Sequence, residues 1–113
     1  MNGPQLLPDE IAQQVADTMF ALSTPSRLQI LAYLQHGPRT VGEIVDAVGM
    51  EQSAISHQLR VLRDHNVVTV RRLGRSRQYA VRDEYLIGIL ADALSHITSV
   101  DQAMPAPAIR AAS

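Results

Sequence analysis

Two neighbouring stretches decide how this chain reads: Ser53-Ala54-Ile55-Ser56-His57-Gln58-Leu59-Arg60-Val61-Leu62-Arg63 and Arg71-Arg72-Leu73-Gly74-Arg75-Ser76-Arg77. In the first, Ile55, Leu59 and Leu62 recur at i, i+4 and i+7, the single apolar stripe of an amphipathic helix. Ser53, Ser56, His57 and Arg60 fall off that stripe, and all of them exchange hydrogen bonds readily. The second stretch is a Gly-containing hairpin carrying four arginines. A polar-faced helix beside an arginine-tipped hairpin matches what a DNA duplex offers. The helix suits the major groove and the hairpin the flanking backbone.

The charge distribution supports this reading once it is divided along the chain. The net charge of −1 hides an acidic segment over residues 1–59 (−4), a basic one over 60–82 (+6) and a second acidic one over 83–113 (−3). Positive charge gathered into one fifth of a chain is the footprint of a polyanion site, and the acidic remainder restrains indiscriminate binding. The plainer reading is a solvated arginine-rich hairpin, but such runs seldom sit beside a reader helix. All ten basic residues are arginine, whose planar fork suits phosphate and guanine.

With 113 residues the chain makes one domain, small enough that dimerisation would add stability. It has no cysteine, which excludes disulfides, thiolate zinc sites and thiol catalysis. No apolar run reaches the ~18 residues of a membrane span and the N-terminus lacks a signal-peptide pattern, so a cytoplasmic protein without membrane contact is expected.

The remaining elements follow from spacing and caps. Residues 1–8 are expected to be disordered. Ile11, Val15, Met19 and Leu22 then mark a first helix, with Asp9 and Glu10 in its first turn. Thr24-Pro25 opens a second helix, with Leu28, Leu31 and Leu34 or Ile30 as its buried face. Thr40 and Glu43 form a capping box ahead of a short helix carrying Val41, Ile44, Val45 and Val48. Gly49 supplies the turn into the reader helix at about 51–64, which completes a helix-turn-helix. Strands at 67–70 and 78–81 close on Leu73-Gly74-Arg75-Ser76. The last helix starts near Asp83, and Leu86, Leu90, Ala93, Ile97 and Val100 step along it by 4, 3, 4 and 3. So narrow a seam on a terminal helix predicts a symmetric homodimer packed through the first and last helices. The Ala/Pro-rich tail 101–113 is expected to be disordered. The fold class is therefore mainly α with a small β-hairpin, α1-α2-α3-α4-β-β-α5, spanning residues 9–100.

That order of elements resembles the ArsR/SmtB family of winged-helix transcriptional regulators. The resemblance rests on Leu22-Ser23-Thr24-Pro25-Ser26-Arg27-Leu28-Gln29-Ile30-Leu31, on the reader stretch, on Val67-Val68, on Arg71-Arg72-Leu73-Gly74-Arg75 and on Tyr79, and it covers about residues 9–100. It implies a dimer on a two-fold operator in double-stranded DNA, with ligand binding altering affinity and repression relieved by ligand as the default. Gln52, Ser53, Ser56, His57 and Arg60 are the groove-facing candidates. Arg72, Arg75 and Arg77 would serve the backbone or the minor groove. Glu51 departs from the family's serine or threonine cap; it caps less well and repels phosphate, which lowers affinity.

The resemblance also indicates where a sensor site would lie. The cysteine site ahead of the reader helix is absent, because residues 39–44 contain no cysteine. On the last helix, the four metal-ligand positions hold Asp83, Tyr85, His96 and Ser99, leaving Asp83 and His96 as donors. Thirteen residues apart on one helix is about 20 Å of rise, so the two meet only across antiparallel helices of a dimer. Imidazole with carboxylate oxygen favours Ni(II), Co(II) or Zn(II), with water, Glu84 or a tail group completing the site. Nickel fits the family's Asp/His subgroup. The simpler reading of Asp92 and His96, at i and i+4, is a helix-surface charge pair. His36 and His65 sit at helix ends, where imidazole suits the last-turn carbonyls.

Two functions follow. One is a regulator that binds DNA and responds to a divalent metal. The other is a DNA-binding regulator with no sensor site of its own, controlled by a protein co-regulator. No nucleophile–base pair or Gly-rich phosphate loop points to an enzyme.

Overall fold

The computed structural model describes residues 5–100; the expected disorder of residues 1–4 and 101–113 lies outside the described residues. Residues 5–8 carry no regular structure and are exposed. The elements that follow are α1 (Asp9–Ala21), α2 (Pro25–Leu34), β1 (Arg39–Thr40), α3 (Val41–Val48), α4 (Gln52–Asp64), β2 (Val68–Leu73), β3 (Ser76–Val81) and α5 (Glu84–Val100). Among the described residues no helix is long and apolar enough to cross a membrane.

Local chemistry sets most of the boundaries. Thr24 Oγ1 accepts from the Arg27 amide at 3.3 Å, and Pro25 occupies the first helical position. The capping box forms as its spacing requires. Glu43 N donates to Thr40 Oγ1 at 3.2 Å, and Thr40 N donates to Glu43 Oε1 at 2.9 Å. Gly49 ends α3 in the left-handed region (φ 82°), with its amide on the Val45 carbonyl at 2.8 Å. At the end of α4, Asn66 takes φ 59°. Val67 N then donates to Leu62 O at 2.9 Å and Asn66 N to Arg63 O at 3.0 Å, a Schellman closure with asparagine where glycine is usual. His65 Nδ1 lies 2.9 Å from the Val61 carbonyl, the helix-end role expected of it.

The core belongs to α2, α3, α4 and the sheet. Ile30, Leu31, Ile44, Ile55, Leu59, Leu62, Val67 and Val68 are all essentially sealed from solvent. On α2 one expectation is corrected: Leu28 is 40% exposed, whereas Arg27 is buried. Arg27, Leu31 and Leu34 stand at i, i+4 and i+7, so the core-facing stripe runs through the arginine.

The sheet departs from a simple hairpin. It has three antiparallel strands in the order β1-β3-β2, with Arg39 paired to Tyr79 and Thr40 to Gln78. A two-residue strand has no alternation to read, and Thr40 is already committed as the α3 cap. Tyr33 supports this edge, with the Arg39 guanidinium 5.1 Å from its ring centroid. The hairpin strands run further than expected, reaching Leu73 and Ser76, so that only Gly74 and Arg75 turn the corner. Gly74 alone of those two takes positive φ (61°), as a two-residue turn with glycine first requires.

Candidate nucleic-acid interface

The reader helix α4 presents two opposed faces. Ile55, Leu59 and Leu62 lock one face into the core, and Gln52, Ser53, Ser56, His57 and Arg60 are all exposed on the other. Glu51 occupies the N-cap position and makes no side-chain cap hydrogen bond, as its chemistry predicts.

Strand register decides which arginines share that side. Arg72 faces Arg77, Val70 faces Tyr79 and Val68 faces Val81. Side chains alternate along a strand, so Arg72 and Arg77 lie on the same sheet face as buried Val68 and Tyr79. Arg71 points to the opposite face, and Arg75 sits at the exposed tip. Two like charges directly opposite each other disfavour strand pairing. A polyanion would relieve that repulsion.

The two elements meet in a cleft of about 280 Å³ lined by Ser56, Leu59, Arg60, Arg63 and Asp64 of α4 and by Arg77 and Tyr79 of β3. Three arginines, with the Asp64 carboxylate, thus border one recess. Arg63 lies outside the candidate set that the sequence offers. The available signal was its position three residues after Arg60, which places the two on adjacent turns of one face.

A second residue outside the candidate set organises the interior. Arg27 is 7% exposed and donates Nε to Ala21 O at 2.7 Å, Nη2 to Phe20 O at 3.2 Å and Nη1 to Gln58 Oε1 at 3.0 Å.

The metal-donor candidates are not brought together. Asp83 Oδ1 accepts the Leu86 amide at 3.1 Å and so caps the start of α5. His96 is exposed further along the same helix, about 20 Å of helical rise away. Tyr85 is 84% exposed. Among the described residues no group of three or more His, Asp or Glu side chains is placed to hold a metal ion.

The outer helices differ from the reader unit. Of α1 only Ala21 is buried, and of α5 only Leu86. Ile11, Val15 and Met19 on α1 and Leu94, Ile97 and Val100 on α5 all remain at least two-fifths exposed.

A helix-turn-helix with a three-stranded wing, an exposed polar reader face and wing arginines on the same side define a winged helix-turn-helix DNA-binding domain. The family described as "Bacterial regulatory protein, arsR family" matches residues 24–70. The chain is 49% identical over 90 residues to the HTH-type transcriptional regulator NmtR of Mycobacterium tuberculosis, covering 80% of this chain and 75% of that protein. It is 33% identical over 98 residues to the "Transcriptional repressor SmtB homolog" of Synechocystis, covering 87% and 74%. In three dimensions it resembles the homodimeric winged helix-turn-helix DNA-binding domain of a possible ArsR-family regulator from Mycobacterium bovis, with a TM-score of 0.73, 31% identity and coverage of 89% and 92%. The chain belongs to the ArsR family of bacterial transcriptional regulators.

Proposed function

We propose that this regulator binds a two-fold symmetric operator as a homodimer, with residues 9–100 as the working domain. Gln52, Ser53, Ser56, His57 and Arg60 face base edges in the major groove, while Arg72, Arg75 and Arg77, joined by Arg63, hold the backbone. The observation that carries this reading is the shared side of the exposed α4 face and the wing arginines, with Arg60, Arg63 and Arg77 around one cleft. The uncovered apolar residues of α1 and α5, and the homodimeric relative of the same fold, support the pairing of two copies. Arg77→Ala should lower the salt dependence of operator binding by about one phosphate contact, and Arg60→Ala should cost about 1–3 kcal/mol of operator affinity. Unchanged affinity and unchanged salt slope in both variants would remove this docking mode.

The effector in this reading is a divalent metal such as nickel, cobalt or zinc. Within one chain the donors do not fit: Asp83 and His96 lie far apart, and one Asp83 oxygen is committed to the α5 cap. A site therefore requires two copies, with the free Asp83 oxygen of one and the His96 imidazole of the other, and further donors from water or Glu84. Operator affinity titrated with Ni(II), Co(II) and Zn(II), in wild type and His96→Ala, tests this. A metal-dependent change in wild type that is lost in the variant supports the sensor. No change in either leaves control by a protein co-regulator as the reading to pursue.

A further inference from the structure

We propose that Arg27 is a positioning residue that ties α1 to the reader helix and thereby sets where each reader helix stands relative to the second copy. This rests on the reading above, in which two copies meet through α1 and α5.

Helix α1 has little else to hold it. It buries only Ala21 of its 13 residues and has no basic residue in its last turn. Its C-terminal carbonyls, at the negative end of the helix dipole, instead receive a cation from α2. Arg27 Nε reaches Ala21 O at 2.7 Å and Nη2 reaches Phe20 O at 3.2 Å, with the guanidinium carbon 5.9 Å from the Phe20 ring centroid. The third arm crosses to α4, where Nη1 donates to Gln58 Oε1 at 3.0 Å. A softer contact, Phe20 against His65 with ring centroids 6.4 Å apart, runs alongside.

The composition of this cluster is what points to positioning. Burying a charge is costly unless it is well satisfied, and the strongest partner for arginine is a carboxylate. Arg27 is 7% exposed, and the three acceptors it reaches are neutral. An apolar side chain would fill the same core stripe of α2 at lower cost. What it could not do is bind two elements at fixed directions, which the planar fork of arginine does. Gln58 is half-buried at the edge of the α4 core stripe, off the exposed reader face. Its amide therefore serves the interior, and the bridge transmits the placement of α1 to the helix that meets the groove.

The consequence is a constraint on spacing. Reader helices of a dimer must match half-sites about one helical turn apart, and a loosened α1–α4 link relaxes that match. The test uses Gln58→Met, which keeps side-chain length and removes the acceptor, together with Arg27→Lys, which keeps the charge and removes the fork. The probes are a palindromic duplex selected from random sequence by the wild-type protein, the same duplex with the half-site separation changed by one base pair, and a duplex with a single half-site. Loss of one hydrogen bond to a charged group predicts that Gln58→Met binds the palindrome about tenfold more weakly. It should discriminate less than wild type between the two separations and bind the single half-site as wild type does. Arg27→Lys should show the same loss of discrimination, with a lower melting temperature. Equal losses on all three duplexes, or wild-type discrimination between separations, overturn the proposal. Sedimentation separates the two layers. A wild-type protein that is monomeric on its own and on the palindrome removes the dimer reading, and the spacing role with it. A dimeric wild type with an unaffected Gln58→Met removes only the role of Arg27.

Discussion

Ile55, Leu59 and Leu62 of α4 are at most 1% exposed, while Ile11, Val15 and Met19 of α1 remain 42%, 43% and 44% exposed. Both sets recur at helical spacing, yet one closes inside a single chain and the other does not. The α2–α4 unit with its sheet is a finished core. In α1 and α5 the apolar stripes have too few partners of their own. Periodicity identifies a face that needs cover without saying which molecule supplies it.

The largest effect that sharpens this contrast is a truncation in the closed region. Leu59→Ala should cost about 2–5 kcal/mol in thermal or denaturant unfolding, since its neighbours cannot collapse into the space. The corresponding truncation in the open region, Ile97→Ala, should act on assembly, weakening dimerisation by about 1–2 kcal/mol per protomer as measured by sedimentation across a concentration series. If Ile97→Ala leaves self-association unchanged, the α5 seam is not the interface. The smallest effect contrasts function with stability inside the wing. Arg72→Thr removes the repulsion with Arg77 and should stabilise the fold by about 0.2–1 kcal/mol, while reducing the salt slope of DNA binding by about one contact. A variant that loses stability breaks the claim that the facing arginines are kept for a polyanion.

Several helix boundaries were legible because a local device sets them: Thr24 with Pro25, Thr40 with Glu43, and Gly49; the buried face of α4 was legible in the 55/59/62 periodicity. The exposed reader face followed from the same periodicity. Three features were not legible. Strand β1 is two residues long and exists only because β3 offers it a pairing edge. Arg63 enters the cleft because β3 brings Arg77 opposite it. Arg27 shares a helical stripe with Leu31 and Leu34, but its charge argued for solvent, and only the carbonyls of Phe20 and Ala21 show why it can be buried. The sensor candidates illustrate the same limit, since one oxygen of Asp83 already serves as the α5 cap.

By itself the sequence determined the family, the reader helix, the arginine wing and the segregation of charge that aims this protein at DNA. These are properties of nearest neighbours and of spacing along one chain, and they survive without knowledge of the fold. The tertiary structure decided which arginines share the α4 side of the sheet, because its register pairs Arg72 with Arg77 and leaves Arg71 on the other face. It also decided what the reader helix leans on, because only folding brings Gln58 within 3.0 Å of a guanidinium 31 positions earlier. Contacts over that separation depend on the path of the whole chain, which no local pattern encodes.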